Sequence, residues 1–364
     1  MTKRGRCVRH VVAGSAVVAL CLVVASGAGA TKLAGEFLTT GLGAKALGMG
    51  GAFSSVADDA SAAYWNPAGL AQAEASQVML MHSERFGDLV DYNTVSLMRP
   101  LSRDVNERSA AAVSLLWLRV SDIALTSHLN SPNVDFEDLN GDGIWNPGSE
   151  RRLWRPDRVR WESDNELAGL LSYAKTVRPK LSLGVNAKVI WKEVADVNCL
   201  GFGADLGMLY KPSRNARIGV NLQDLTTTPL YWDGWYYVPA DSGGIEKKDV
   251  STTETIYPTL KVGGSYRIPI AAISGTVLLA ADCDFKFEGL SGDEADFSFS
   301  EVSGDIRLGA LYDYRGLVHV SVGMDRRKPT AGIGISAGRF GVDYAFWRDE
   351  ELDNTHRISA TMDF

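Results

Sequence analysis

Apolar and polar residues alternate with a period of two through most of this chain, and this pattern constrains its fold more than any other feature. In residues 181–192, LSLGVNAKVIWK, the side chains of Leu183, Val185 and Val189 fall on one face of an extended strand, and Asn186 and Lys188 fall on the other. Successive side chains of a strand point to opposite faces, so each such run indicates a strand with one apolar side. The runs predict about fourteen strands, near residues 76–85, 91–99, 109–120, 165–177, 181–194, 199–211, 215–224, 257–268, 273–287, 303–314, 316–326, 329–338, 339–348 and 355–364.

The connections between these strands indicate a barrel that spans a membrane. Outer-membrane barrels have an even number of strands, short periplasmic turns and longer external loops. If the first strand starts in the periplasm, the longest later connections, 121–164, 225–256, 288–302 and 349–354, all fall on the external side. We therefore predict an all-β fold, a transmembrane antiparallel β-barrel of about 14 strands. A soluble β-sandwich is the alternative, because it also has alternating strands, but it gives no reason for this parity.

The first thirty residues predict export from the cytoplasm. Lys3, Arg4 and Arg6 precede a short aliphatic run over residues 11–24, and small residues follow up to Ala30. This order is typical of a secretory signal peptide that is cleaved after Ala30. An uncleaved membrane anchor is the alternative, because the apolar run approaches the length that spans a bilayer.

Composition excludes several classes of protein. The formal net charge is −7, whereas a nucleic-acid-binding protein needs a basic face, so no nucleic acid partner is expected. The chain has only 4 cysteines, which argues against a disulfide scaffold. Cys199 and Cys283 remain after the signal peptide is removed, and the sequence leaves open whether they pair.

Two enzyme-like patterns lie in the wrong context. Residues 334–338 match G-x-S-x-G around Ser336, but a nucleophile elbow needs a strand-to-helix turn, and here one alternating strand directly follows another. The histidines of the exported chain are scattered and form no H-E-x-x-H pair. We therefore predict no catalytic residues and no enzyme activity.

One acidic segment in the 121–164 connection resembles the start of a calcium loop. Its D-x-N-x-D-G pattern places alternate oxygen ligands around a sharp glycine turn, as hard cations require. The closing glutamate comes one residue later than in an EF-hand, so the prediction is an EF-like loop with a structural Ca²⁺, and no other cofactor is expected. The alternative is a cluster of Asx-turns in a solvated loop. The predicted ligands are Asp138, Asn140, Asp142, Ile144 through its carbonyl, Asn146 and Glu150.

A second external connection, 225–256, is rich in aromatic residues. Such a cluster can capture a hydrophobic molecule, bind a protein, or pack as a lid over the barrel mouth, and the sequence does not separate these roles. The residues are Tyr231, Trp232, Trp235, Tyr236 and Tyr237.

Residues 41–72, GLGAKALGMGGAFSSVADDASAAYWNPAGLAQ, resemble the N-terminal signature of the PorV/PorQ family, relatives of the FadL hydrocarbon and fatty-acid transporters. The ending DNTHRISATMDF resembles that family's last strand, and its terminal Phe364 is the kind of residue that the outer-membrane barrel insertion machinery reads. The resemblance implies a fourteen-stranded barrel whose N-terminal segment folds inward as a hatch. Its division would be a signal peptide over 1–30, a hatch over 31–75 and an outer-membrane barrel over 76–364.

The hatch motif also has a local interpretation. Its glycines permit tight or positive-φ backbone, and Asp58 or Asp59 is placed to cap a short helix through Ala63. Residues 66–69 then form a turn that ends this helix. These residues either shape the plug alone or contact a ligand. The positions of interest are Gly48, Gly50, Gly51, Asp58, Asp59, Asn66, Pro67, Ala68 and Gly69.

Two classes of function follow from the resemblance. One is FadL-like uptake, in which a hydrophobic small molecule adsorbs at the external loops, passes the hatch, and leaves through the lumen or the wall. The other is a shuttle or attachment factor for exported proteins, as in type IX secretion. A purely structural surface barrel is a third interpretation. The expected location is the outer membrane, with its lipid and the insertion machinery as partners. The inward positions expected to be polar, which argue against a greasy central channel, are Arg307, Asp313, His319, Asp325, Asp343 and Arg357.

Overall fold

The computed structural model describes residues 34–85, 89–104, 106–125, 137–141, 149–151, 159–239, 245–287, 296–299, 302–348 and 354–364. The predicted signal peptide therefore lies outside the described residues. Within these described residues, seventeen strands form one antiparallel sheet. Their bounds are β1 Gln77–Arg85, β2 Val90–Ser102, β3 Ser109–Leu125, β4 Arg160–Arg178, β5 Leu181–Val194, β6 Val197–Tyr210, β7 Ala216–Gln223, β8 Thr228–Pro239, β9 Ile245–Ile256, β10 Thr259–Ile270, β11 Gly275–Lys286, β12 Phe297–Phe299, β13 Val302–Tyr314, β14 Val318–Asp325, β15 Lys328–Ala337, β16 Phe340–Trp347 and β17 Thr355–Asp363.

Fourteen of these strands form the wall of a closed barrel. The wall strands pair in chain order, and β17 pairs with β1 in the register Gln77↔Asp363, so the sheet closes on itself and no wall edge is left. β8 and β9 form a hairpin between β7 and β10, and β12 is a short strand beside the start of β13. The structure confirms the predicted antiparallel barrel and its fourteen strands, and it excludes the β-sandwich.

The two faces of the wall have the polarity expected for a barrel in lipid. In β5, Val185 and Trp191 are exposed on the outer face, whereas Asn186, Lys188 and Lys192 are buried on the inner face. A soluble protein has the opposite distribution, because burying polar groups is unfavourable unless they are hydrogen-bonded. The outer face therefore suits lipid, and the inner face must satisfy its polar groups within the lumen.

One predicted turn is displaced. The predicted strands 257–268 and 273–287 leave a turn over 269–272, but β10 continues through Ile270, and the turn is a 3-10 helix, Ala271–Ile273, followed by Ser274 with φ 51°. Proline has no N–H, and it is tolerated in a strand where one edge has no ladder partner. The ladder between β10 and β7 ends at Tyr266, so Pro269 lies beyond it.

The external connection 225–256 is more regular than the predicted loop. Its aromatic residues lie on β8, which pairs with β9 over its whole length and with the external end of β6 through residues 230–234. Aromatic and β-branched residues favour strands, which explains the hairpin. Gly234, with φ 152°, interrupts the alternation that would have indicated a strand in the sequence.

Residues 34–73, which we call the hatch, fill the lumen. They contain a 3-10 helix Glu36–Thr40, α-helices Ala44–Gly48 and Ala62–Trp65, and a 3-10 helix Pro67–Gln72. Their apolar side chains, including Phe37, Phe53 and Leu70, are almost fully buried and form the core together with inward residues of the wall. Within the described part of the chain, no helix combines the length and apolarity needed to cross a bilayer.

Candidate functional site

The backbone of the hatch is held by side chains of the wall. Asn186 of β5 donates to the carbonyl of Ala63 at 2.7 Å, and Asn221 of β7 donates to that of Trp65 at 3.0 Å. On the opposite wall, Thr330 of β15 donates to Gly48 at 3.1 Å. Asp282 of β11 accepts hydrogen bonds from the amides of Phe53 and Ser54 at 2.9 and 2.8 Å. Because carbonyls and amides buried in a lumen need partners, these bonds fix the hatch across the width of the barrel.

Several inward glycines of the wall lie directly against hatch backbone. A Cβ atom on Gly207 of β6 would lie 2.3 Å from Asn66 Oδ1, and one on Gly323 of β14 would lie 2.3 Å from the amide nitrogen of Gly50. Real Cβ contacts are not this short, so the hatch could not occupy this position against alanines. We call these wall residues the glycine seat: Gly184, Gly207, Gly219, Gly309 and Gly323.

The predicted hatch glycines have the expected backbone at two of three positions. Gly50 and Gly51 have φ of 66° and 73°, a region that favours glycine. Gly48 is not in that region; its Cβ would instead lie 3.0 Å from the backbone of Gly332 in β15. Gly69 is likewise required by a close approach, because a Cβ added there would lie 2.2 Å from the carbonyl oxygen of Ala57.

The predicted helix cap is wrong in its position. The helix runs Ala62–Trp65, beyond the expected end at Ala63, and Ser61 precedes it without a capping bond from its side chain. Asp59 instead accepts a hydrogen bond from the amide of Ser61 at 2.9 Å and orders the turn before the helix. Asn66 ends the helix as predicted, and its Oδ1 accepts from the amide of Ala68 at 3.1 Å to start the next 3-10 helix.

Asp58 does not cap the helix; it joins the hatch to the wall. Its Oδ2 lies 3.1 Å from Arg217 of β7 and 3.3 Å from Arg267 of β10. Burial alone raises the pKa of Asp58, but the charges of Lys45, Arg217 and Arg267 outweigh it and hold the pKa below its ordinary value. The carboxylate is therefore charged at neutral pH.

The lumen around the hatch is polar and rich in ion pairs, as its sequence pattern predicted. Of the expected inward residues, Arg307, His319, Asp343 and Arg357 are buried. Arg307 bonds to Asp325 at 2.9 Å, and His319 lies 3.0 Å from Asp343. The sixth, Asp313, is half-buried at the end of β13, where it accepts from the amide of Gly316.

A cavity remains beside the hatch on the external side of the lumen, but it is small. It measures about 110 Å³ and lies between Tyr64 and Trp65 of the hatch and Lys261, Arg307 and Asp325 of the wall. Pockets for organic ligands usually measure about 300–1,000 Å³, so this space suits water better than cargo.

The ladder of the wall is interrupted in β6. This strand pairs with β8 through residues 197–201 and with β7 through residues 206–210, and neither ladder includes residues 202–205, which we call the β6 gap. The turn after β7 closes the gap, because the amide of Leu225 donates to the carbonyl of Ala204 at 2.8 Å. Asp224 and Thr227 in this turn have φ of 53° and 52°, which costs about 1 kcal/mol or more for each residue.

A buried ion cluster lies behind the β6 gap. Lys188 bonds to Asp224 at 2.9 Å and lies 3.1 Å from Asp205, whose Oδ1 accepts from the amide of Asp224 at 2.9 Å. Thr228 donates to Asp224 at 2.5 Å. These contacts hold the turn in place from inside the barrel, and Asn186 links them to the hatch by donating to Asp205 at 2.9 Å.

An external cavity adjoins the aromatic hairpin. It measures about 450 Å³ and is lined by Leu125, Arg160, Val194, Ala195, Asp196, Val197, Trp235, Tyr236 and Tyr237. Arg160 bridges its rim by bonding to both oxygens of Asp196, at 2.6 and 2.9 Å. The rings of Trp235 and Tyr237 meet edge to face, with centroids 5.1 Å apart. The size and lining suit a small, mainly apolar molecule.

The structure gives four of the five predicted aromatic residues one of two roles. Trp232 packs against the hatch core, and its Nε1 donates to Glu254 at 3.0 Å. Trp235, Tyr236 and Tyr237 line the external cavity, while Tyr231 is largely exposed.

Half of the predicted calcium ligands can be placed. Asp138, Asn140 and Glu150 are described; Asp142, Ile144 and Asn146 lie outside the described residues. Asp138 Oδ1 accepts from the amide of Gly141 at 2.6 Å, and Glu150 Oε1 accepts from that of Leu139 at 3.2 Å. The part of the loop that is described contains no group of three or more acidic, histidine or cysteine side chains placed to hold a metal. The calcium site thus stays a prediction.

Two other sequence features are resolved by the fold. Ser336 lies inside β15, and a two-residue turn leads from that strand to β16, so this motif has no nucleophile elbow. Cys199 and Cys283 are both free thiols, and Cys199 is buried.

Solved structures with a similar fold include proteins described as toluene transporters. The toluene transporter TodX from P. putida has a TM-score of 0.59 at 13% identity, over 89% of this chain and 99% of that chain. The toluene transporter TbuX from Ralstonia pickettii has a TM-score of 0.55 at 15% identity, over 89% and 98%. A FadL homologue from Pseudomonas aeruginosa has a TM-score of 0.50 at 11% identity, over 88% and 98%. No protein-family profile and no curated protein sequence matches the chain.

The chain is an outer-membrane β-barrel. Its lipid-facing surface is a band of exposed aliphatic side chains, among them Leu97, Leu171, Val185 and Val322. Aromatic residues at strand ends, such as Tyr314 and Trp191, are also exposed there, as in the interfacial girdles of such barrels. Phe364 is exposed, and its amide donates to Ser76 at 2.8 Å, which ties the last strand to the start of the first.

Proposed function

We propose that this barrel takes up small hydrophobic molecules across the outer membrane and that it is of the PorV/PorQ type. The observation that carries the proposal is the aromatic external cavity of about 450 Å³, mounted on a barrel with the fold of solved toluene transporters. The resemblance of residues 41–72 to the PorV/PorQ signature supports the family assignment.

Capture takes place at the external cavity. Trp235, Tyr236 and Tyr237 offer ring faces and edges to an apolar or aromatic molecule, and Leu125 and Val197 supply aliphatic contacts. The hairpin is stiffened by Lys247, whose Nζ lies 4.2 Å from the centre of the Trp235 ring. A cavity that already exists before the ligand arrives needs little ordering to bind it.

The captured molecule then leaves sideways, through the wall. The lumen below is lined by ion pairs and filled by the hatch, so an apolar molecule gains nothing by entering it. The β6 gap is the place where the wall lacks ladder bonds, and the exposed Phe202 faces lipid there. Movement of the strained turn after β7 would open the wall at this gap.

Uptake of radiolabelled toluene by cells that carry the protein tests this proposal. Replacing both Trp235 and Tyr237 by serine removes two ring contacts, so we expect the initial uptake rate at low toluene to fall about fivefold or more. The rates should converge at high toluene, because capture changes affinity rather than the exit step.

The matched control is Tyr210→Ser, which repeats the tyrosine-to-serine change on the lipid-facing side of β6, far along the strand from the cavity. This variant should take up toluene at the normal rate. Equal uptake by the cavity variant and the control would contradict a capture role for the cavity.

A second candidate function is escort or attachment of exported proteins, and the sealed, polar lumen favours it because such a role needs no channel. Mass spectrometry of everything that co-purifies from native outer membranes separates the two functions. A recurrent apolar compound near one per barrel supports uptake, and a recurrent exported protein supports escort. Recovery of neither favours a structural barrel. For biogenesis, we propose that the insertion machinery recognises the last strand through Phe364.

A further inference from the structure

The periplasmic end of the barrel contains a second large cavity, separate from the aromatic cavity outside. It measures about 390 Å³ and opens where the hatch meets the turns after β2 and β6. Four basic side chains line it: Arg108, Lys211, Arg217 and Arg267. They come from two turns and two strands, so the fold brings them together from positions far apart in the sequence.

Three carboxylates share the cavity, and their contacts leave part of this positive charge without a partner of opposite sign. Asp58 is engaged by Arg217 and Arg267 together. Asp363 accepts a hydrogen bond from Gln77 at 2.8 Å. Glu74 lies 3.7 Å from Arg108, which exceeds a hydrogen-bond distance, and its side chain is 83% exposed, so this pair is weak.

Lys211 and Arg108 are therefore the basic side chains of the cavity that are not closely paired with a carboxylate. The ammonium of Lys211 bonds to the neutral amide oxygen of Gln72 rather than to a carboxylate. Burial, together with the nearby charges of Arg217 and Arg108, lowers the pKa of Lys211 to about 8. A cation that is crowded by other cations gains most from an added anion.

We propose that this periplasmic cavity binds a phosphate group, held by Arg108, Lys211 and the spare donors of Arg267. Guanidinium groups match phosphate with two parallel hydrogen bonds, and lysine adds a compact charge. Free phosphate and the headgroup of an anionic phospholipid share this chemistry, and basic pockets at a membrane surface bind such headgroups. The site does not depend on uptake, because it lies on the other side of the hatch from the aromatic cavity.

The test uses the full barrel in a neutral detergent at pH 7 and low salt. Calorimetry measures binding of inorganic phosphate, and native mass spectrometry measures retention of phosphatidylglycerol against phosphatidylcholine. Lys211→Gln and Arg108→Gln should each weaken phosphate-group binding about tenfold or more, as expected for losing one charge-assisted hydrogen bond. Lys211→Arg should retain binding.

Arg214→Gln is the matched control, because Arg214 is exposed in the same turn as Lys211 but does not line the cavity. Heat-modifiable migration checks that every variant is folded. Saturable binding of phosphatidylglycerol alone identifies a lipid headgroup as the ligand, and saturable binding of phosphate alone identifies a free anion; both support the site. The proposal would be overturned if neither probe bound saturably, or if Arg214→Gln weakened binding as much as Lys211→Gln and Arg108→Gln do.

Discussion

Asn66 in the hatch donates a hydrogen bond from its Nδ2 to the carbonyl of Met208 in β6, at 3.0 Å. The same Nδ2 donates to Ser54 at 2.8 Å, and its Oδ1 accepts from Ala68. The side chain is fully buried, so one amide joins two parts of the hatch to the wall. Asn66 therefore acts as an anchor, and this contact gives a physical reason for an amide at this position.

The first prediction concerns the glycine seat beside this anchor. Gly207→Ala places a Cβ where Asn66 Oδ1 lies, so the hatch must shift, at a cost of about 1–3 kcal/mol typical of overpacking. We expect faster proteolysis of the hatch in the folded barrel, with a small rise in single-channel conductance. Gly264→Ala is the control, since nothing lies within 4 Å of its added Cβ. Identical conductance and proteolysis in both variants would refute a seat that requires glycine.

The second prediction concerns the ion cluster behind the β6 gap. Lys188→Met leaves Asp205 and Asp224 buried without their cation, and breaking a buried pair from one side costs about 3–5 kcal/mol. Urea unfolding in detergent should show this loss. Adding Asp224→Asn to the variant should restore part of the stability, because one uncompensated charge is removed. Lys180→Met, in an exposed turn, should change little; a similar loss there would contradict the prediction.

The third prediction is a pH dependence of hatch attachment. The pKa of Asp58 is lowered in the folded chain, so its ion pairs stabilise the fold fully above the ordinary carboxyl value of about 4 and lose this effect as the pH falls through the lower folded value. The difference in unfolding free energy between the native chain and Asp58→Asn should be constant from about pH 5 to 7. It should shrink below about pH 4. A difference that stays constant into the acid range would show that the ion pairs contribute nothing.

Some kinds of contact in this fold could be predicted from the sequence, and others could not. The alternation of apolar and polar residues predicted all fourteen wall strands, because each strand must present one face to lipid and one to the lumen. The same alternation predicted that the side chains of Arg307 and His319 point inward. The β6 gap does not, since residues 197–210 alternate like one continuous strand and only the pairing partners reveal the break.

The contacts between the hatch and the wall could not be predicted from the sequence either. The motif indicated that Asp58 matters locally, but its partners Arg217 and Arg267 lie more than a hundred residues away, on strands whose positions around the barrel had to be known. The basic cavity at the periplasmic end could not be predicted for the same reason. No run of basic residues in the sequence marks it.

The fourth prediction concerns the acidic external loop. We propose that Ca²⁺ orders the 121–164 loop through Asp138, Asp142 and Glu150, so calcium should slow proteolysis of this loop and a chelator should reverse the effect. Asp142→Ala should abolish the protection, whereas Asp249→Ala on the hairpin should leave it intact. Cleavage at the same rate with calcium and with chelator would favour the Asx-turn interpretation.

We propose that an apolar molecule crosses the wall at the β6 gap, and closing that gap is the most direct test. In a chain with Cys199 and Cys283 replaced by alanine, cysteines at Ala204 and Leu225 can be joined by a short thiol-specific crosslinker. A matched pair at Leu97 and Val113 joins directly opposed residues of the intact ladder between β2 and β3. When a reducible linker joins the gap, we expect toluene uptake by cells to fall to the level of cells without the barrel. Uptake should recover when the linker is reduced. The β2–β3 link should leave uptake unaffected. Undiminished uptake through a barrel with the gap closed would contradict the account.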